Sequence, residues 1–244
     1  MVPSWLHILS IVALAGGFVC AAAIVADEIS HPQHMWIMNV VWPVAALFGT
    51  VLTLWAYLRF GRPATHVNAK HARRRGHDPH RGKPAPFPVM VGKAAAHCGS
   101  GCCLGDICAE WLAFAVPAVA VGFGWHSLFN EKMFAVWILD YIFAFALGIL
   151  FQYFTIVPMQ KLSVGEGLIR ALKADALSLS AWQIGMYGFM ALAQFVIFRS
   201  LFHTRLEVNS TEFWFMMQIA MLAGFVTSYP VNWWLLRVGI KEKM

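Results

Sequence analysis

The stretch 96-AHCGSGCCLGDICAEW-111 sets four cysteines, a histidine and two carboxylates into a chain that is otherwise apolar. Its surroundings decide what kind of protein this is. Hydrophobic residues make up 59% of the sequence and charged residues 12%, against about a quarter charged in an ordinary soluble domain. A bilayer is therefore the expected solvent, and once the apolar segments are placed in it little chain remains outside except one basic loop. The expected architecture is a single all-α membrane domain over residues 1–244 with no soluble catalytic domain.

A hydrocarbon core about 30 Å thick takes roughly 20 apolar residues of helix. Six stretches qualify as transmembrane helices: Trp5–Ala26, Met35–Leu58, Leu104–Gly124, Met133–Val157, Leu177–Phe198 and Phe213–Leu236. The first is too long for a signal peptide and lacks its basic flank, so it reads as an anchor. Fifteen of the 18 Lys and Arg fall between spans two and three, between spans four and five, or after span six, while Lys132, Arg199 and Arg205 lie in the alternate loops. Positive loops stay on the cytoplasmic face. Both termini are therefore expected to be cytoplasmic, with DEISHPQH (27–34), WHSLFNEK (125–132) and RSLFHTRLEVNSTE (199–212) outside. The charge reports topology and contact with anionic lipid, not nucleic acid, because the basic loop lacks interleaved aromatics. That loop, about 60–92, is rich in Pro, Gly and basic residues and is expected to be flexible; His66, His71, His77 and His80 make it either a solvated linker or a loose metal-handling segment.

In the quoted stretch, Cys98, Cys102, Asp106 and Glu110 recur at steps of four, which stacks them on one face of a helix with His97 and Cys103 beside them. A continuous helix over 94–124 is longer than the hydrocarbon core, so its first turns belong at the cytoplasmic interface or in a cavity. Gly101 and Gly105 form a small-xxx-small pair that lets another helix approach closely; alternatively the glycines open the helix into a loop lining a cavity. Thiolates select Cu(I) and zinc, which makes His97, Cys98, Cys102, Cys103, Asp106 and Glu110 a candidate site for a copper or zinc ion. The cysteine spacing is not that of a zinc finger, and a disulfide framework is not expected on the cytosolic side. Thiol redox exchange is an open alternative. So is a filler role for the cysteines, which leaves Asp106 and Glu110 unexplained, since intramembrane carboxylates are expensive and functional by default.

Other polar and soft groups extend this pattern. Asp140 lies in the apolar fourth span with no neutralising neighbour in sequence, whereas Asp175 follows Lys173 near the inner surface. Met190, Met217 and Met221 fall in the outer half of spans five and six, as a soft pathway or as adaptable filler. His31, His34, Met35 and Met38 crowd an outside loop near Asp27 and Glu28, as a capture site for a metal ion or as an interfacial cluster. Pro230 in SYPVNWW kinks the sixth span. No nucleotide-binding motif is present.

The segments MWIMNVVWPVAALFG (35–49), HCGSGCCLGDICAEW (97–111), FQYFTIVPM (151–159), LKADALSLSAWQIGMYGFMA (172–191) and FVTSYPVNWWLLRVGIKEKM (225–244) resemble the bacterial membrane family catalogued as domain of unknown function 4396. The resemblance implies a multi-pass protein of the bacterial inner membrane and supplies no activity. Cys102–Cys103 departs from it, a small hydroxyl residue being expected after the first cysteine. The residues themselves point to a membrane protein that binds or transports a soft transition-metal ion, copper first, and to a transporter rather than an enzyme. A membrane thiol oxidoreductase working with a quinone and a structural or assembly subunit are the alternatives. The expected partners are the lipid bilayer and a second copy or another membrane subunit.

Overall fold

A computed structural model describes residues 2–62, 85–160 and 163–241, and among them the protein is built of helices joined by short loops. The four loop histidines, His66, His71, His77 and His80, lie outside the described residues. The helices are α1 (Ser4–Ser30), α2 (Met38–Ala56, extended by a π-helical turn Tyr57–Gly61), α3 (Phe87–Ala115), α4 (Pro117–Gly122), α5 (Lys132–Gln160), α6 (Val164–Ala191, extended by π-helical Leu192–Leu201) and α7 (Thr211–Arg237). By length and hydropathy five segments are apolar enough to cross a membrane: α1, α2, α5, and α6 and α7.

Local chemistry fixes most boundaries. Glu166 and Ser163 form a capping box at the start of α6, with Ser163 Oγ donating to Glu166 Oε2 at 2.8 Å. Ser210 caps α7 by accepting from the Phe213 amide at 3.2 Å. Pro86 and Pro88 open α3, and Pro117, which has no amide hydrogen to continue the ladder, ends it at Ala115. The third helix is thus displaced from the expected span: it starts within what was read as loop, runs unbroken through Gly99, Gly101 and Gly105, and stops before Gly124. α3 misses the hydropathy of a span because it occupies the centre of the bundle, where its neighbours rather than lipid surround His97 to Cys103 and Asp106.

The glycines act as the sequence suggests. A methyl group at Gly101 would sit 2.7 Å from Gly148 Cα, and one at Gly105 2.5 Å from Ala144 Cα, so α3 and α5 touch backbone to backbone. Gly99 and Gly224 make room for the buried indole of Trp182.

The second expected span does not cross the bundle. Thr50 has φ 45° and ψ −126°, and α2 folds back there on itself. Trp42 and Tyr57 rings meet at 5.7 Å, although fifteen residues of straight helix would hold them about 22 Å apart. Thr53 Oγ1 donates to Ala45 O at 3.2 Å across the bend. Tyr57 therefore reaches Asp27 (2.8 Å), as does Arg62 (3.1 Å), beside the loop from which α2 set out.

This hairpin reorders the ends of the molecule. One end holds the 31–37 loop, Arg62, the start of α3 and the finish of α7: Lys93 Nζ donates to Phe60 O at 3.1 Å and Tyr229 Oη to Pro88 O at 3.1 Å. The other holds the start of α1 and α7, where His7 Nδ1 meets Glu212 Oε1 at 2.7 Å, and the finish of α3, where Trp111 stacks on Trp214 at 5.9 Å. Hence α1, α3, α5, α6 and α7 run end to end, while the beginning of α1 and the finish of α7 lie at opposite ends. His31, His34, Met35 and Met38 accordingly sit at the same end as Arg62. Hydropathy has no direction, and 24 apolar residues read alike whether they cross or double back.

Candidate functional site

One face of α3 carries buried polar groups along most of its length, and they fall into three tiers. At the tier nearest the Arg62 end, Cys98 Sγ donates to Asp175 Oδ1 at 2.8 Å and lies 3.1 Å from Ser178 Oγ, both on α6. Lys241 completes this tier. Its Nζ donates to Asp175 Oδ1 at 2.5 Å, to Cys98 Sγ at 2.9 Å and to Asn232 Oδ1 at 2.8 Å, and the pair Lys241–Asp175 is wholly buried. Asn232 Nδ2 ties the group together by donating to Ser178 Oγ at 2.6 Å. Lys241 arrives through a turn after α7: Gly239 adopts φ 76°, and the Ile240 amide reaches back to Leu235 O at 3.1 Å. Burial alone would lower the ammonium's pKa, but Asp175 and Cys98 outweigh it and hold it raised at about 12. On the other side of α3, His97 Nε2 pairs with Thr155 Oγ1 at 3.0 Å, and its Nδ1 has no partner among the described residues.

The middle tier splits to two sides. Cys103 faces an apolar pocket of about 300 Å³ whose lining includes Met217, Met221, Phe48, Trp111 and Trp214. Cys102 is fully buried in the core. Asp106 Oδ1 accepts from Gln183 Nε2 at 3.2 Å, while Asp106 Oδ2, Gln183 Oε1 and both carboxylate oxygens of Asp140 bond nothing among the described residues. Asp106 and Asp140 are fully buried, and Glu110, one turn further along α3, is nearly so. Buried carboxylates without a full set of partners are costly and mark functional positions.

The third tier opens outward. Glu110 lines a cavity of about 310 Å³ with Lys132, Arg205, Glu207, Met190 and Gln194. This cavity lies at the end of the bundle opposite Arg62, because Phe213 at the start of α7 lines it too.

The residues expected to bind one metal ion therefore do not converge. Among the described residues no three His, Cys, Asp or Glu side chains gather around a common point. Helix geometry explains this: twelve residues from Cys98 to Glu110 span about 18 Å of axis. Met190 lines the same cavity as Glu110, and Met217 and Met221 line the same pocket as Cys103. Sequence reasoning passed over Lys241, Gln183, Ser178 and Thr155 and gave Asp175 little weight. Asp175 and Ser178 share a face at i and i+3, a signal available in sequence; nothing local marks Lys241, which read as one more topological charge.

A family model matches residues 89–241, from the first turn of α3 to Lys241, and so takes in all three tiers. The chain belongs to the family described as a domain of unknown function, DUF4396. α1 and the α2 hairpin, including the 35–49 segment, lie outside the match. No curated protein and no solved structure matches the chain.

Proposed function

We propose that this DUF4396 protein is a membrane carrier for a soft transition-metal ion, copper first, that moves along the polar face of α3. The observation that carries the reading is the pocket lined by Cys103, Met217 and Met221 together: three sulfur-bearing side chains around one apolar space suit Cu(I). The tiers act as successive stations. Glu110 and Met190 meet the ion at the outward cavity, Asp106 and Asp140 offset its charge within the bundle, and Cys98 with Asp175 receives it at the far end. Stations of few ligands suit a carrier, since an ion held by a complete cage leaves slowly.

The orientation we propose follows from the bundle ends. The Arg62 end, with the basic loop and Lys241, faces the cytoplasm of a bacterial inner membrane. Five helices then cross, α2 enters and returns on the cytoplasmic side, and the start of α1 faces outside. The two limbs of α2 satisfy their own backbone as helix, and Thr53 Oγ1 donates to Ala45 O across the bend.

Copper content and uptake test the reading together. Purified protein loaded with Cu(I) under reducing conditions should retain about one ion per chain, and proteoliposomes should take up Cu(I). Cys103→Ser combined with Met217→Leu and Met221→Leu should abolish both. Absence of Cu(I) from the wild type and no uptake would overturn the proposal. A second reading is favoured by one observation, that Asp106 Oδ2 and both carboxylate oxygens of Asp140 bond nothing among the described residues: the cargo is a proton. It predicts that a pH-sensitive dye inside the liposomes responds without metal and that Asp140→Asn silences it.

A further inference from the structure

Resting on the copper reading above, we propose that Cys98, Asp175 and Asn232 form an inner cation site that Lys241 fills with its own ammonium, so that the tail must withdraw before a Cu(I)-class ion can enter. Three acceptors of three kinds, a thiol sulfur, a carboxylate oxygen and an amide oxygen, converge on a single buried nitrogen. Each ammonium proton has one partner, which is the arrangement of a site built around a cation. A further oxygen of the same buried carboxylate, Asp175 Oδ2, has no hydrogen-bond partner among the described residues. An ion larger in coordination demand than an ammonium finds that spare donor there.

A hydrophobic residue would anchor the tail at less cost than a buried charge, since an ion pair in the interior gains little over well-packed apolar groups. The chain supplies a cation instead and places it where it can leave. Lys241 is carried by the Gly239 turn outside α7, so withdrawing it breaks the hydrogen bonds of one turn and leaves the helix intact. Ion entry exchanges the ammonium for the metal: the Cys98 thiol releases its proton to water as the metal–sulfur bond forms, the carboxylate and amide oxygens turn to the metal, and protonated Lys241 moves to the aqueous face.

The test is Cu(I) binding to the full-length protein in detergent, by competition with a chromophoric chelator under reducing conditions. If the tail vacates the site about a tenth of the time, Lys241→Gln should bind roughly tenfold more tightly than wild type. Lys241→Arg, which keeps the charge, should not gain, and adding Cys98→Ser to Lys241→Gln should remove the gain. Equal affinity of wild type and Lys241→Gln, or a gain that survives loss of Cys98, would overturn the proposal. Should Lys241→Gln fail to fold, the wild type decides. Trypsin cleaves after Lys241 only when the tail is out, so saturating Cu(I) should speed release of that C-terminal fragment, and an unchanged rate would overturn the proposal. Loss of transport in the Cys103 variant with no effect at Lys241 would remove this site and keep the carrier; a gain at Lys241 without any uptake would remove the carrier and keep the site.

Discussion

Asp175 and Lys241 stand 66 residues apart in sequence and share a hydrogen bond in the core, with no solvent at either side chain. Removing one partner strands the other charge, so Asp175→Asn should lower stability by about 3–5 kcal/mol. The double variant Asp175→Asn with Lys241→Met leaves no charge behind and should recover most of that loss, which thermal unfolding of the detergent-solubilised protein would show. Equal melting temperatures for the single and double variants would mean the pair is not coupled. Sequence alone could show Asp175 as a charge near the end of a helix. It could not show its partner, because a lysine after the last span has the same meaning for topology whether it faces lipid headgroups or turns inward. Asp106 and Glu110 were legible for the opposite reason: carboxylates inside an apolar run advertise themselves by cost.

Among elements, the helix period was the most legible feature. Steps of four along α3 correctly put Cys98, Cys102, Asp106 and Glu110 on one buried face, and the small residues at 101 and 105 marked the contact with α5. Gly105→Val, pressed against the Ala144 backbone, should destabilise by roughly 1–3 kcal/mol or more, visible as a lower melting temperature. The turn after α7 depends on a residue that tolerates positive φ; Gly239→Val should cost about 1–2 kcal/mol and draw Lys241 out of its site, which faster trypsin cleavage after Lys241 would report. The α2 hairpin was invisible because its limbs are each as apolar as a span and Thr50 is no conventional breaker. A paired Trp42→Cys and Tyr57→Cys variant should be bridged by a short bis-maleimide cross-linker, since the two rings meet at 5.7 Å. A straight helix would keep those cysteines about 22 Å apart and unlinked.

At the scale of the molecule, that one bend decides the topology. A crossing α2 puts residues 31–37 on the face opposite Arg62 and gives both termini one side; a folded-back α2 puts residues 31–37 beside Arg62 and separates the termini. The two arrangements assign opposite faces to the same positions. Single cysteines at Val2, His34, Ser127 and Val238, probed with a membrane-impermeant maleimide in sealed vesicles of known orientation, distinguish them, because the native thiols of α3 at Cys98, Cys102 and Cys103 are buried and Cys108 lies on the apolar outer surface of that helix. The bundle described here predicts that Val2→Cys and Ser127→Cys label from one face and His34→Cys and Val238→Cys from the other. Co-labelling of Val2→Cys with Val238→Cys, and of His34→Cys with Ser127→Cys, would restore six crossings. The direction of the proposed ion path follows from the same result: with Glu110 at the face of Ser127 and Cys98 toward the face of Val238, the carboxylate cavity receives from outside and the thiol site delivers inside, where the Lys241 ammonium waits to re-enter as the ion departs.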